Sequence, residues 1–213
     1  MKDSDYLSNF FEVGNVEEAK QKILTPENGF STEERWQTET TPLANMLLNK
    51  LEISEGDTVV DYGCGIGRIS KYLLEKVSCN VIGVDISKSM RALAEFYCNN
   101  EAFMSCSTTA LKNLTDSGFR AKQAFCIWVL QHAEDPIYDL NLLHDLLNDR
   151  GYFLVLNLDG RCLPTIDGWK NDNINVKKEI EKIFKVVEYF SPPKDSITDL
   201  ARLTSFCGLF QKR

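Results

Sequence analysis

Asp61, Gly63, Gly65, Gly67, Asp85 and His132 are the residues through which this chain could do chemistry. The three glycines stand at alternate positions in Asp61-Tyr62-Gly63-Cys64-Gly65-Ile66-Gly67, directly after the apolar run Val59-Val60. Glycine has no Cβ and adopts positive φ freely, so such a turn lets a ligand press against bare backbone. An acid just ahead of the turn is awkward for phosphate and suits a ligand carrying ammonium or hydroxyl donors. Eighteen residues after Gly67, the run Val81-Ile82-Gly83-Val84 ends in a second acid, Asp85. That spacing fits one β–α–β unit, with Asp85 where a ribose diol would be held. His132 brings an imidazole, whose charge changes near neutral pH.

The elements that must position these groups alternate along the chain. After the glycines, Ile66, Ile69, Leu73, Leu74 and Val77 fall on one helical face. Ser87 is a plausible helix cap ahead of Met90, Leu93, Ala94 and Tyr97, and a weaker strand follows over Ala102–Cys106. Ala124–Leu130 is apolar on both faces, as a central parallel strand should be. A helix over Ile137–Leu147, a strand over Tyr152–Leu156, a helix over Val176–Phe184 and strands over Val186–Phe190 and Arg202–Phe210 complete the pattern. Upstream, Val16–Leu24 reads as a short helix ended by Thr25-Pro26, and Pro42 as the first turn of the next one. Alternating strands and helices predict an α/β layer fold with its ligand site at the carboxyl ends of the strands.

Val60–Gly67 and Gly83-Val84-Asp85-Ile86-Ser87 resemble the first and second motifs of the class I S-adenosylmethionine-dependent methyltransferases, and Trp128–Pro136 resembles their fourth. The resemblance covers about residues 43 to 157. It implies a Rossmann-like methyltransferase fold: a three-layer α/β/α sandwich around a mostly parallel seven-stranded sheet, with the last strand antiparallel. A lid segment over residues 1–41 and a cofactor-binding domain over 42–213 then form one globular unit. The cofactor implied is S-adenosyl-L-methionine, leaving as S-adenosyl-L-homocysteine.

By the same resemblance Asp61, with Tyr62 and Cys64, faces the cofactor's ammonium, and Asp85, Ile86 and Met90 surround its ribose. Thr109 and Ala110 stand at the adenine, where the family often has an acid and this chain has hydroxyls. Trp128 walls the methionine arm, Gln131 contributes backbone, Arg35 holds the carboxylate and His132 is the candidate base. Plainer readings stand beside several of these. Asp61 and Asp85 could be turn or cap residues, His132 could tie down its loop, Trp128 could be core, and Arg35 could be exposed beside Trp36. His144 reads as structural. Leu158–Asn173 is a long, turn-rich segment whose Arg161 and Trp169, with Asn157 and Asp159 at its start, could shape an acceptor pocket.

Composition narrows the partners. A net charge of −7 disfavours a nucleic-acid backbone, because such affinity draws on clustered Lys and Arg. Lys177, Lys178, Lys182 and Lys185 are interleaved with acids, as on a solvated helix face. No stretch of about 18 apolar residues occurs, and Met1–Asp5 does not read as the start of a signal peptide. Seven scattered cysteines without a C-x-x-C pair read as reduced core thiols in a cytoplasmic protein, not as a metal site. The expected activity is methyl transfer to oxygen or nitrogen of a small-molecule acceptor. A non-catalytic methyltransferase-like subunit and an NAD-dependent oxidoreductase are the alternatives. The second requires glycine at position 68, where Arg68 stands.

Overall fold

Why the polar amino-terminal third packs against the glycine turn becomes visible in the computed structural model, which describes residues 5–213. The signal-peptide reading falls mainly on residues 1–4, outside those described. The first elements are α1 (Val16–Ile23) and α2 (Thr32–Leu51). The core then alternates through β1 (Thr58–Tyr62), α3 (Arg68–Lys76), β2 (Asn80–Val84), α4 (Lys88–Cys98), β3 (Phe103–Cys106), α5 (Thr108–Asp116), β4 (Ala121–Ile127), α6 (Pro136–Leu146) and β5 (Leu147–Leu158). A hairpin of β6 (Leu163–Thr165) and β7 (Gly168–Lys170) precedes α7 (Val176–Ile183), β8 (Phe184–Tyr189), α8 (Asp199–Leu203) and β9 (Ser205–Lys212).

Seven strands form one sheet in the order β3-β2-β1-β4-β5-β9-β8, and β9 alone runs antiparallel to its neighbours. The expected three-layer α/β/α arrangement with an antiparallel last strand is therefore found. Alternation decides which face each side chain serves. Val60, Ile82, Ala124 and Phe153 meet α5, α6 and α7 on one side. Val59, Val81, Phe125 and Leu154 meet α2, α3 and α4 on the other. A smaller cluster of Ala19, Leu24, Trp36, Ile66 and Met90 fixes α1 and the start of α2 against the glycine turn.

Four boundaries differ from expectation, each for a physical reason. The helix expected to begin at Pro42 begins ten residues earlier and carries Pro42 inside it. Ser31 and Glu34 close a reciprocal capping box at its start, and Arg35, Trp36 and Glu39 are buried along its first turns. Together these outweigh the lost hydrogen bond of an interior proline, which costs about 3 kcal/mol. The strand expected over Ala124–Leu130 stops at Ile127 because Trp128 adopts φ 62°. Arg202 lies in α8, where its guanidinium donates to the carbonyls of Pro192, Pro193 and Lys194, so the last strand starts at Ser205. Leu158–Asn173 holds the β6–β7 hairpin, paired from Leu163↔Lys170 to Thr165↔Gly168. All seven cysteines are free thiols, six of them buried.

Candidate active site

Parallel pairing sets Asp61 of β1 opposite Gly83 of β2, so the two acids end up side by side at the carboxyl edge. Between them the glycine turn is stitched down by Gly63 and Cys64 N–H groups donating to Val84 O at 2.6 and 2.9 Å. Asp85 accepts from Gly65 N and from Ser87 N, both at 2.9 Å. Its carboxylate thus ties the turn to the cap of α4, a structural task the sequence reading did not separate from ligand binding. Asp61 is buried and accepts from Ser70 Oγ at 2.6 Å. Burial, more than the nearby Asp85 charge, pushes its pKa up to about 7, and burial raises that of Asp85 as well.

A cavity of about 510 Å³ opens over this edge. Of the residues expected at a site, Asp61, Tyr62, Gly63, Cys64, Gly65 and Asp85 line it, as do Ile86, Met90, Thr109, Trp128 and His132. Gly67 and Ala110 do not: Gly67 caps α3 against Cys98, and Ala110 N donates to Ser107 Oγ in the first turn of α5. Gln131 lies against a second cavity of about 710 Å³, with its Oε1 buried and without a hydrogen-bond partner. Arg35 also borders that cavity. Its guanidinium binds Glu39 at 2.7 Å, Glu27 at 3.4 Å and Thr25 O at 2.5 Å, which keeps it from the first cavity.

Of the cations at the first cavity, Arg68 is buried under Trp36 with its guanidinium carbon 5.5 Å from the ring centroid. Burial lowers its pKa to about 10, and Glu39 and Asp61 partly restore it. Opposite, Tyr62 Oη donates to Asp139 Oδ1 at 2.5 Å, and burial lifts Asp139 to about 6. Tyr6, Phe11, Lys22 and Ile23 complete the lining from the amino-terminal segment. Tyr6 is carried there by a bridge to Thr165, and Leu7 N donates to Pro164 O at 2.9 Å.

His132 sits where the two cavities meet. Its Nδ1 lies 2.6 Å from Cys162 O, and a carbonyl only accepts, so Nδ1 carries the proton. In the neutral ring Nε2 is then an acceptor, and Gln131 Nε2 donates to it at 3.3 Å. Burial, with the Arg161 charge, lowers the pKa of the ring. Phe11 and Trp169 flank it at 5.7 and 5.2 Å between centroids. Of the residues considered for an acceptor pocket, Trp169 borders the second cavity. Asn157 Oδ1 accepts from Gln131 N at 3.0 Å, and Arg161 is buried, donating to the carbonyls of Leu130 and Ala133 and pairing with Asp172 at 3.1 Å. Both brace the loop after β4. Asp159 N donates to Thr204 O, and Asp159 borders neither cavity.

Residues 33–213, which carry every element from α2 to β9, match the family described as a methyltransferase domain. The chain belongs to it. It is a class I S-adenosylmethionine-dependent methyltransferase. Over 175 residues it is 29% identical to ribosomal RNA large subunit methyltransferase E of Brachyspira hyodysenteriae, covering 75% of this chain and 81% of that one. It is 24% identical over 132 residues to cyclopropane-fatty-acyl-phospholipid synthase of Escherichia coli K12, covering 61% of this chain and 34% of that longer protein. A TehB-like methyltransferase from Corynebacterium glutamicum superposes with a TM-score of 0.60 at 19% identity, covering 81% and 88% of the two chains.

In this methyltransferase the sequence reading missed Tyr6, Phe11, Lys22, Ile23 and Arg68 at the cavity. Arg68 was the most accessible of them, since a charged residue in the first turn after a glycine loop faces the same edge as the loop. The Tyr6 bridge joins residues far apart in sequence and leaves no local periodicity to read.

Proposed function

We propose that this methyltransferase moves a methyl group to oxygen or nitrogen of a small molecule seated in the second cavity. The observation that carries the reading is His132 at the junction of the two cavities, with Nδ1–H committed to Cys162 O and Nε2 an acceptor whose 3.3 Å contact from Gln131 Nε2 an incoming donor must displace. The residues of the first cavity suit S-adenosylmethionine chemically: the buried Asp61 carboxylate faces its ammonium and buried Arg68 answers its carboxylate. When bound, that cofactor supplies a methyl carbon on a sulfonium, which leaves as a neutral thioether while the acceptor atom bonds to carbon.

The chain's own residues then have separate tasks. Asp61 takes the ammonium and Arg68 the carboxylate. Asp85, held by Gly65 and Ser87, offers its remaining lone pairs to the ribose diol. Thr109 stands at the adenine edge. Trp128 presents its ring to the sulfonium. His132 Nε2 removes the proton of the attacking hydroxyl or ammonium, and Cys162 O steadies the imidazolium that forms.

The acidic balance of the chain supports a small acceptor over a polyanion. The relative acting on ribosomal RNA makes RNA the alternative to test. Titration with S-adenosylhomocysteine and with NAD should show binding of the first alone. Radiolabelled S-adenosylmethionine should then mark small molecules of a cell extract and leave purified ribosomal RNA unlabelled. Label in RNA alone would overturn the acceptor reading.

A further inference from the structure

Charges around the second cavity are unequally satisfied. Its carboxylates are committed: Glu12 accepts from Lys88 N and Ser89 N at 2.8 and 2.9 Å, and Glu18 accepts from Gly14 N and Asn15 Nδ2. Glu27 pairs with Arg35 and accepts from Thr198 Oγ1. Of the two cations lining the cavity, Arg35 is spent on Glu39 and Glu27. Lys22 is different. Its Nζ stands 3.9 Å over the Phe10 ring centroid, and among the described residues no carboxylate oxygen lies within 4.0 Å of it. It also borders both cavities, so its charge stands close to where a reacting acceptor would lie.

The wall beside it is built of rings. Phe10 meets Trp169 at 4.9 Å and Phe11 at 5.2 Å, and Trp169 meets His132 at 5.2 Å. Trp128 closes the side toward the first cavity. Flat faces and edges of this kind receive a planar apolar partner, and a cavity of about 710 Å³ has room for one of small-molecule size. The three carboxylates keep their charges, so the lining is net negative by one and repels a chain of anions, while Lys22 is the local cation for a single one.

We propose that the acceptor is a planar aromatic carboxylate bearing a hydroxyl or amino nucleophile, stacked on the Phe10–Trp169 wall with its anion paired to Lys22. This rests on the first cavity being the cofactor site. Lys22 is a specificity residue here.

The test is isothermal titration of the full chain saturated with S-adenosylhomocysteine, using 4-hydroxybenzoate, 4-aminobenzoate, neutral 4-hydroxybenzamide and adenosine monophosphate as probes. The acids should bind at least about tenfold more tightly than the amide. Lys22→Met should erase that difference and Lys22→Arg should keep it. Equal binding of acid and amide, no binding of either, or discrimination that survives Lys22→Met overturns the proposal. So does a loss of S-adenosylhomocysteine affinity in Lys22→Met, which would give Lys22 to the cofactor's carboxylate. Tighter binding of the nucleotide than of the acids would move the site to a nucleic-acid acceptor. Failure of the wild type to bind S-adenosylhomocysteine overturns both readings at once, whereas cofactor binding with indifferent acids overturns this one alone.

Discussion

With Asp61 at the cofactor's ammonium, as proposed, cofactor affinity should depend on pH, and the raised pKa of the carboxyl sets the size. Burial raises its carboxyl from 3.8 to about 7, so the charge meant for an ammonium is incomplete at neutral pH in the ligand-free protein. With ionisation centred there, about one molecule in eleven carries the charge at pH 6 and about ten in eleven at pH 8. If only the ionised form takes the ammonium, affinity for S-adenosylhomocysteine should rise about tenfold between those two values. A cationic ligand holds the group ionised, so binding at pH 6 should release close to one proton. Titration in two buffers of different ionisation enthalpy measures that proton directly. Asp61→Asn keeps the shape and the acceptor for Ser70 Oγ but cannot titrate, so its affinity should be lower and flatter with pH. This variant also subtracts any titration of the ligand's own amine and of Asp85 and Asp139. A wild-type affinity that is the same at pH 6 and pH 8, or a slope that persists in Asp61→Asn, would refute the reasoning.

The same burial has a cost in stability whose sign is opposite to that of an ordinary paired acid. A carboxyl raised in the folded state binds its proton more tightly there, so the penalty is absent near pH 4, grows through neutrality and is complete above about 7. At full size it approaches roughly 4 kcal/mol, so ligand-free Asp61→Asn should melt at a higher temperature than wild type at pH 8 and equally near pH 4. His132→Gln should leave S-adenosylhomocysteine affinity intact and slow turnover by about 10²–10⁴-fold. Because burial lowers the His132 pKa, the acid limb of kcat/KM for the acceptor, measured with saturating S-adenosylmethionine so that Asp61 stays ionised, should fall below pH 6.5 in the wild type and vanish in the variant. Arg35→Met strands buried Glu39 and should cost about 3–5 kcal/mol in denaturant unfolding, with cofactor affinity unchanged at temperatures where it is folded. Arg68→Met should do the reverse, weakening S-adenosylhomocysteine binding with a smaller effect on stability.

Much of the sheet was legible because its strands are buried on both faces and read as unbroken apolar runs ending in acids. Asp61 and Asp85 could be set on one edge from spacing alone, since eighteen residues after Gly67 suffice for one helix and a return strand. The glycine register likewise separated this chain from dinucleotide binders without any coordinate. What stayed illegible depends on contacts distant in sequence. Pro42 looks like a helix start by itself; only the burial of Trp36 and the Arg35–Glu39 pair shows why the helix runs through it. The positive φ of Trp128 follows from no property of tryptophan. It is imposed by neighbours, with Trp128 N held to Leu156 O at 2.8 Å and Arg161 gripping the loop beyond. Such a conformation costs about 1–3 kcal/mol and tends to persist where function needs it.

The glycine turn carries one more consequence. A Cβ at Gly63 would lie 2.0 Å from a methyl of Val129, and one at Gly65 would lie 2.6 Å from Ile23 Cδ1. Each glycine is thus the socket for a side chain arriving from another part of the chain. Enlarging residue 63 therefore meets both Val129 and a φ of 83° that other residues rarely adopt, and enlarging residue 65 meets the Ile23 side chain and a φ of 55°. The side chains met stand 66 and 42 residues away along the chain, respectively. Alanine at either glycine is accordingly a folding lesion before it is a binding one, and an inert enzyme intended as a control is better made at Asp61 or His132.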